Sequence, residues 1–364
     1  MSYTIKSLTS RFFFDLLTPS TFRVLLAAFV VLYHTLGFIT IGHYAVYVFF
    51  VLSGYWIARM YTEKYTEYKN SYLVYLLSRL GRLMPMYWLI FVFSLIVFFL
   101  IPSFAQKTDG REHIQWIWAA NFIVLGVANS PFQLIGTSWS LDIEIQFYIL
   151  APLLVLLFRR GWAIPLFIVS SMLAISLIAF HHFAYNILFY LPFFAIGGLI
   201  YHFNYQATKR IAVLCLLAAG ALLFFNYAIP HLRNNYLLNK TSILLGFDYI
   251  ELLNVVLLLL TIPYVSINVR LATKKELKGK EQLLSSISYI LYLVHWPLLQ
   301  IYAWFAGDQI NVKKMLLLCA YYVFCVVLSY VLAKYVDTYF EKQRRSWLDR
   351  QAKLRQPAWA NQPV

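Results

Sequence analysis

The segment FRVLLAAFVVLYH, residues 22–34, holds an arginine at its second position and a histidine at its last, with only apolar or small residues and Tyr33 between them. Arg23 and His34 stand eleven residues apart. On a helix, eleven steps of 100° make three turns plus about 20°, so both side chains share one face and are separated by a rise of about 16 Å. That rise is roughly half the hydrocarbon thickness of a bilayer. An arginine in the first turn of a membrane helix reaches headgroups by extending its stem. A histidine beyond the midplane has no such escape, and ionisable groups there face a partner or a water-lined cavity. The plain alternative for His34 is a structural histidine hydrogen-bonded to another helix.

The rest of the chain has the same character. Of its 364 residues 61% are hydrophobic, 19% aromatic and only 12% charged, with a mean hydropathy of +0.67. A soluble globular chain carries about 25% charged residues, so the bilayer is the expected solvent. Apolar runs predict an all-α polytopic membrane protein with spans at 22–40, 43–61, 86–102, 139–158, 162–180, 185–203, 210–229, 242–267, 284–304 and 314–336. Ten spans put both termini on one side. Of the 30 Lys and Arg, 22 fall in or beside the N-terminal segment, the turns after the even-numbered spans and the C-terminal tail. The opposite turns hold Lys107, Arg111, Arg233, Lys240, Lys313 and Lys314. This bias predicts cytoplasmic termini. It also accounts for the net charge of +15 without a nucleic-acid partner.

Residues 1–340 are read as one transmembrane domain, and residues 341–364 as a basic cytoplasmic tail lying along the anionic inner leaflet. Within the outer loop 103–138, WIWAANFIVLG is expected at the interface or re-entering. No cleavable signal peptide is expected. Cys215, Cys319 and Cys325 all lie in apolar runs and form neither a metal set nor a disulfide framework.

Other polar groups interrupt the apolar runs. Ser53-Gly54 breaks the second span, where small residues permit close helix contact or a local opening. RLGRLMPMYW brings Arg79, Arg82, Pro85 and Tyr87 to the start of the third span. Two arginines three apart share a face and suit phosphate oxygens, although ordinary positive-inside anchoring explains them too. GTSWSLDIEIQFY opens the fourth span. There Glu144 and Tyr148 share a face, while Asp142 is explicable as a cap. The ninth span carries His295 ahead of Trp296-Pro297, and a proline there frees backbone groups that a lined cavity can use. Arginines at the cytoplasmic end with His34 and Glu144 deeper suit a phosphate-bearing donor arriving from the cytoplasm and a base further in.

Together these segments resemble the acyltransferase-3 family of integral membrane acyltransferases. The resemblance rests on five motifs in order: Arg23 to His34; FFVLSG-Y at 49–55; Arg79, Arg82, Pro85 and Tyr87; Trp139, Ser140, Leu141, Glu144, Phe147 and Tyr148; and SYILYLVHWP at 288–297. The chain departs from the family pattern at Ile145, where a second acid is frequent, and after Glu341, where a proline is common. Some members carry a soluble hydrolase-like domain that finishes the transfer; this chain is expected to deliver the acyl group itself or pass it to another protein.

The resemblance implies O-acylation, most often O-acetylation, of a hydroxyl on an envelope glycan such as exopolysaccharide, O-antigen or a lipid-linked saccharide. It implies a bacterial inner-membrane location and acetyl-coenzyme A or another acyl-coenzyme A as donor substrate. No permanently bound cofactor and no metal are expected. The expected catalytic residues are His34, Glu144 and Arg23. His34 is a general base or a transient acyl carrier, and Glu144 holds its imidazole or binds acceptor hydroxyls. Arg79, Arg82, Ser53 and Tyr87 are expected to bind the donor. Trp139, Ser140, Tyr148 and His295 are expected to contact the acceptor or support the site. The competing class is a proton-coupled transporter or exporter, in which intramembrane His and Glu beside the Ser-Gly break form a proton relay.

Overall fold

The computed structural model describes residues 18–36, 39, 41–102, 114–179, 185–229, 243–244, 247–271, 278–307 and 312–353. Lys107, Arg111, Arg233 and Lys240, part of the outer loop and the last residues of the tail lie outside them. The described chain is mostly helical, with one two-stranded antiparallel ladder, β1 (Ile243–Leu244) with β2 (Phe247–Asp248). In order the helices are α1 (Pro19–Thr35), α2 (Gly42–Glu63), α3 (Ser71–Leu100), α4 (Ile114–Ile123), α5 (Ser138–Leu157), α6 (Ala163–Ala179), α7 (Ile187–His202), α8 (Lys209–Ala228), α9 (Tyr249–Leu271), α10 (Lys278–Ala306), α11 (Val312–Val331) and α12 (Thr338–Ala352).

A helix stands at every segment predicted to span, and α4 covers the first eight residues of the WIWAANFIVLG stretch. Among the described residues, six helical runs are long and apolar enough to cross a membrane: Ser71–Leu100, Ser138–Ser176, Lys209–Ala228, Tyr249–Leu271, Gly279–Ala306 and Val312–Ala352. α1 and α7 are shorter apolar helices. Large apolar side chains cover the outside, among them Leu73, Val92, Phe99, Leu214, Phe224, Met315 and Val323. Soluble monomers do not carry such continuous apolar surface, so the protein is integral to a membrane.

Two boundaries differ from the sequence expectation. The third helix begins at Ser71 rather than near 86, so Arg79 and Arg82 lie inside it. The apolar run misleads because the helix tolerates both Pro85 and an arginine whose charge is answered elsewhere: Arg82 donates to Asp337 Oδ2 at 2.7 Å and Oδ1 at 2.9 Å, and to Ser286 Oγ at 3.0 Å. The fourth and fifth spans join through a π turn, Phe158–Trp162. Gly161, at φ 83°, takes the left-handed conformation that makes the bend.

α1 starts on Thr18, whose Oγ1 accepts from the Thr21 amide, with Pro19 at the first helical position. It packs on α2 and α10. α2 in turn crosses α7 at backbone contact. A Cβ on Gly54 would sit 2.0 Å from the Phe194 carbonyl oxygen, and one on Gly197 would sit 2.0 Å from that of Val51. This reciprocal fit explains the small residue after Ser53. Beyond the last apolar stretch the basic segment continues as α12, packed on α3. Leu348 and Glu341 are buried there, and Glu341 takes Arg344 and Arg345 at 2.8 Å each. Burial favours the neutral acid, but the two guanidiniums hold the Glu341 carboxyl down at about 2.

Candidate functional site

α1 carries the site along its length, with two groups of residues at different depths. Toward its N-terminal end, Arg23 and Glu144 line one cavity of ≈ 60 Å³ with Ser140, Ser288, Tyr289 and Tyr292. Glu144 is fixed there by two hydroxyls, Ser53 Oγ at 2.8 Å and Tyr148 OH at 2.6 Å, both donating to Oε1. Arg23 shares this cavity with Glu144. Its helix is tied to α10 by Ser288 Oγ, which donates to the Arg23 carbonyl at 2.9 Å. Ser140 Oγ and Tyr292 OH, 2.6 Å apart, close the cavity wall.

About 16 Å further along α1, His34 meets α10. Its ring stacks on that of His295, with centroids 5.4 Å apart and planes at 27°. The Trp296 ring stands edge-on to His34 at 5.3 Å. His295 is fully buried, and its Nδ1 lies 3.0 Å from the Leu291 carbonyl. A carbonyl only accepts, so Nδ1 carries the proton and Nε2 presents a lone pair. Neither His295 Nε2 nor Trp296 Nε1 has a hydrogen-bond partner among the described residues, although both atoms are buried. An acceptor and a donor, each without a counterpart among the described residues, therefore belong to the two rings packed against half-buried His34, as a site awaiting a ligand would present them.

A family model described as an acyltransferase domain matches residues 19–334. The chain belongs to the acyltransferase-3 family. No curated protein and no solved structure matches it. The family makes this protein a membrane acyltransferase, and the matched residues take in both levels of the site.

The acyltransferase-3 motif residues fall into three places. Arg23, Glu144, Ser53, Ser140 and Tyr148 gather at the first level. His34 and His295 meet at the second. Among the described residues it is the hydroxyls of Ser53 and Tyr148, not the His34 ring, that hold Glu144. The third place is peripheral. Arg79 approaches the Met60 sulfur at 2.7 Å and the Tyr65 ring at 5.9 Å, with its buried Nε lacking a partner among the described residues. The Arg82 donors are engaged by Asp337 and Ser286. Tyr87 is fully buried and donates to the Asn121 carbonyl, which ties α3 to α4. Asp142 is also fully buried, accepting from the Ala128 amide and Gln146. It braces the outer loop rather than capping its own helix.

Sequence reasoning missed the groups at the outer edge of the second level. His43, in the first turn of α2, bonds through Nδ1 to Glu251 Oε1. Tyr47 OH donates to Glu251 Oε2 at 2.6 Å. Trp139 packs against the His43 ring at 5.5 Å. The signal was present: Glu251 is an acid well inside the predicted span 242–267, the same anomaly that drew attention to Glu144.

A larger cavity, ≈ 510 Å³, is elsewhere. Arg59, Arg159, Arg270 and His202 line it, and of the motif residues only Tyr55 reaches it. Arg59 pairs with Glu63 at 3.0 Å, and Arg270 holds the Asn204 carboxamide at 2.6 Å. Size alone does not make it the reaction centre.

Proposed function

We propose that this protein transfers an acyl group, most commonly acetyl, from acyl-coenzyme A to a hydroxyl of an envelope glycan across a bacterial cytoplasmic membrane. In this reading it crosses the membrane ten times with both termini in the cytoplasm, an orientation that the Lys and Arg distribution supports. The donor's phosphates bind near Arg23 and Arg79. Arg82 contributes charge, but Asp337 occupies its hydrogen bonds. The pantetheine arm then runs beside α1. An extended chain of about five residue lengths covers the 16 Å from Arg23 to His34.

At His34 the thioester meets the acceptor. His34 acts as a general base or a transient acyl carrier. Trp296 Nε1–H is a donor able to stabilise negative charge on the acyl oxygen as it develops. The reading is carried by one observation: a single helix face links an arginine–glutamate cavity to a histidine flanked by the unpartnered His295 and Trp296 nitrogens. Mass spectrometry of the envelope glycan with and without the gene tests it. Loss of an ester-linked acyl increment on deletion is expected; an unchanged glycan contradicts it.

A further inference from the structure

His43 and Glu251 have no part in the scheme above, yet their geometry is that of a proton-transfer pair. Glu251 Oε1 holds the Nδ1 of His43, and Oε2 is taken by the Tyr47 hydroxyl at 2.6 Å. With both oxygens occupied, the carboxylate cannot turn away. A carboxylate accepts, so Nδ1 carries the proton and the basic lone pair of His43 is on Nε2. The pair is not sealed: the His43 and Glu251 side chains are 30% and 35% exposed. On one side lies Tyr33, whose ring is 6.5 Å from His43, next to His34. On the other is an aromatic wall, with Trp139 5.5 Å from His43 and Tyr185 5.5 Å beyond it. Tyr185 is exposed. Such rings pair an apolar face with a polar edge, which fits a saccharide.

We propose that His43, oriented by Glu251 and Tyr47, accepts the proton of the acceptor's hydroxyl, and that the acceptor is a saccharide lying against Trp139 and Tyr185. This rests on the acyltransferase reading and divides its labour between two imidazoles. The hydroxyl oxygen bonds to the acyl carbon. The bond from that carbon to its carrier, the coenzyme sulfur or a His34 nitrogen, breaks. The proton moves from the hydroxyl to His43 Nε2 and then to the departing sulfur or nitrogen. His34 serves the acyl side, and Glu251 is a positioning residue.

The test uses the full chain in proteoliposomes with acetyl-coenzyme A. The acceptor is the envelope saccharide fraction extracted from the deletion strain. Ester formation and donor binding are both measured. His43→Gln keeps a donor toward Glu251 but no base, so ester formation falls roughly 10²–10⁴-fold, the range of general-base catalysis, with donor binding unchanged. Added imidazole restores at least part of the His43→Ala rate, which a purely structural role would not allow. Glu251→Asp recovers more activity than Glu251→Gln. Wild-type rates in His43→Gln, or a His43→Ala loss that imidazole leaves untouched, overturn the assignment while the transferase reading stands. Absence of ester formation by the wild-type protein removes both.

Discussion

The imidazole of His34 lies flat against that of His295, 5.4 Å between centroids and 27° from parallel. His295 is locked by its hydrogen bond to the Leu291 carbonyl, so it offers His34 a fixed neighbour whose Nε2 has no partner among the described residues. His295→Phe keeps the stacking area and removes that nitrogen. Ester formation in proteoliposomes is expected to fall roughly 10–100-fold, at or below the low end of acid–base effects, with protein yield unchanged. A wild-type rate would reduce His295 to a packing element.

Two sets of arginines compete for the donor's phosphates. Arg23 lines the Glu144 cavity and Arg79 lies off it against Met60 and Tyr65, while Arg59, Arg159 and Arg270 line the larger cavity on another side of α2. Arg79→Gln and Arg23→Gln are each expected to raise the KM for acyl-coenzyme A about tenfold, the loss of one charge-assisted hydrogen bond. Arg270→Gln leaves it within about twofold. The reverse pattern would move the donor to the larger cavity.

The fold was largely legible because apolar runs and basic turns are set by the bilayer itself, and each predicted span holds a helix. The first helix was also legible in its chemistry, since Arg23 and His34 are on one element and helical spacing alone relates them. What lay hidden depends on contacts between distant elements. Arg82 reads as an anchoring or phosphate-binding arginine until Asp337, 255 residues later, is seen to hold it. Glu144 and His34 look like partners in the sequence, but their helices meet at different depths, and Ser53 and Tyr148 take the carboxylate. His43 and Glu251, 208 residues apart, become a pair only through the packing of α2 on α9.

The crossing of α2 and α7 has no room for a methyl group. Gly54→Ala or Gly197→Ala would drive a Cβ to 2.0 Å from a backbone oxygen, which cannot rotate aside. Overpacking typically costs about 1–3 kcal/mol. A lower melting temperature and lower membrane yield are expected in both single variants. A variant as stable as the wild type would show that the helices separate freely.

The Arg82–Asp337 pair joins α3 to the π turn at Leu332–Asp337, with Asp337 buried. Removing one partner strands a charge in an apolar setting, at a cost of about 3–5 kcal/mol. Asp337→Ala is therefore expected to lower the melting temperature in detergent markedly. The double variant Arg82→Met with Asp337→Leu recovers much of the loss. Equal loss in the single and double variants would mean that the geometry of the pair matters beyond its charge balance.

The central claim is that the acyl group changes hands at His34. The most direct measurement is made on His34→Ala, purified and reconstituted, with binding of acetyl-coenzyme A and acylation of the extracted glycan followed side by side. The account predicts donor binding close to wild type and ester formation reduced at least about 10³-fold, within the range for a lost acid–base or nucleophilic group. Near-normal glycan acylation by that variant would contradict it.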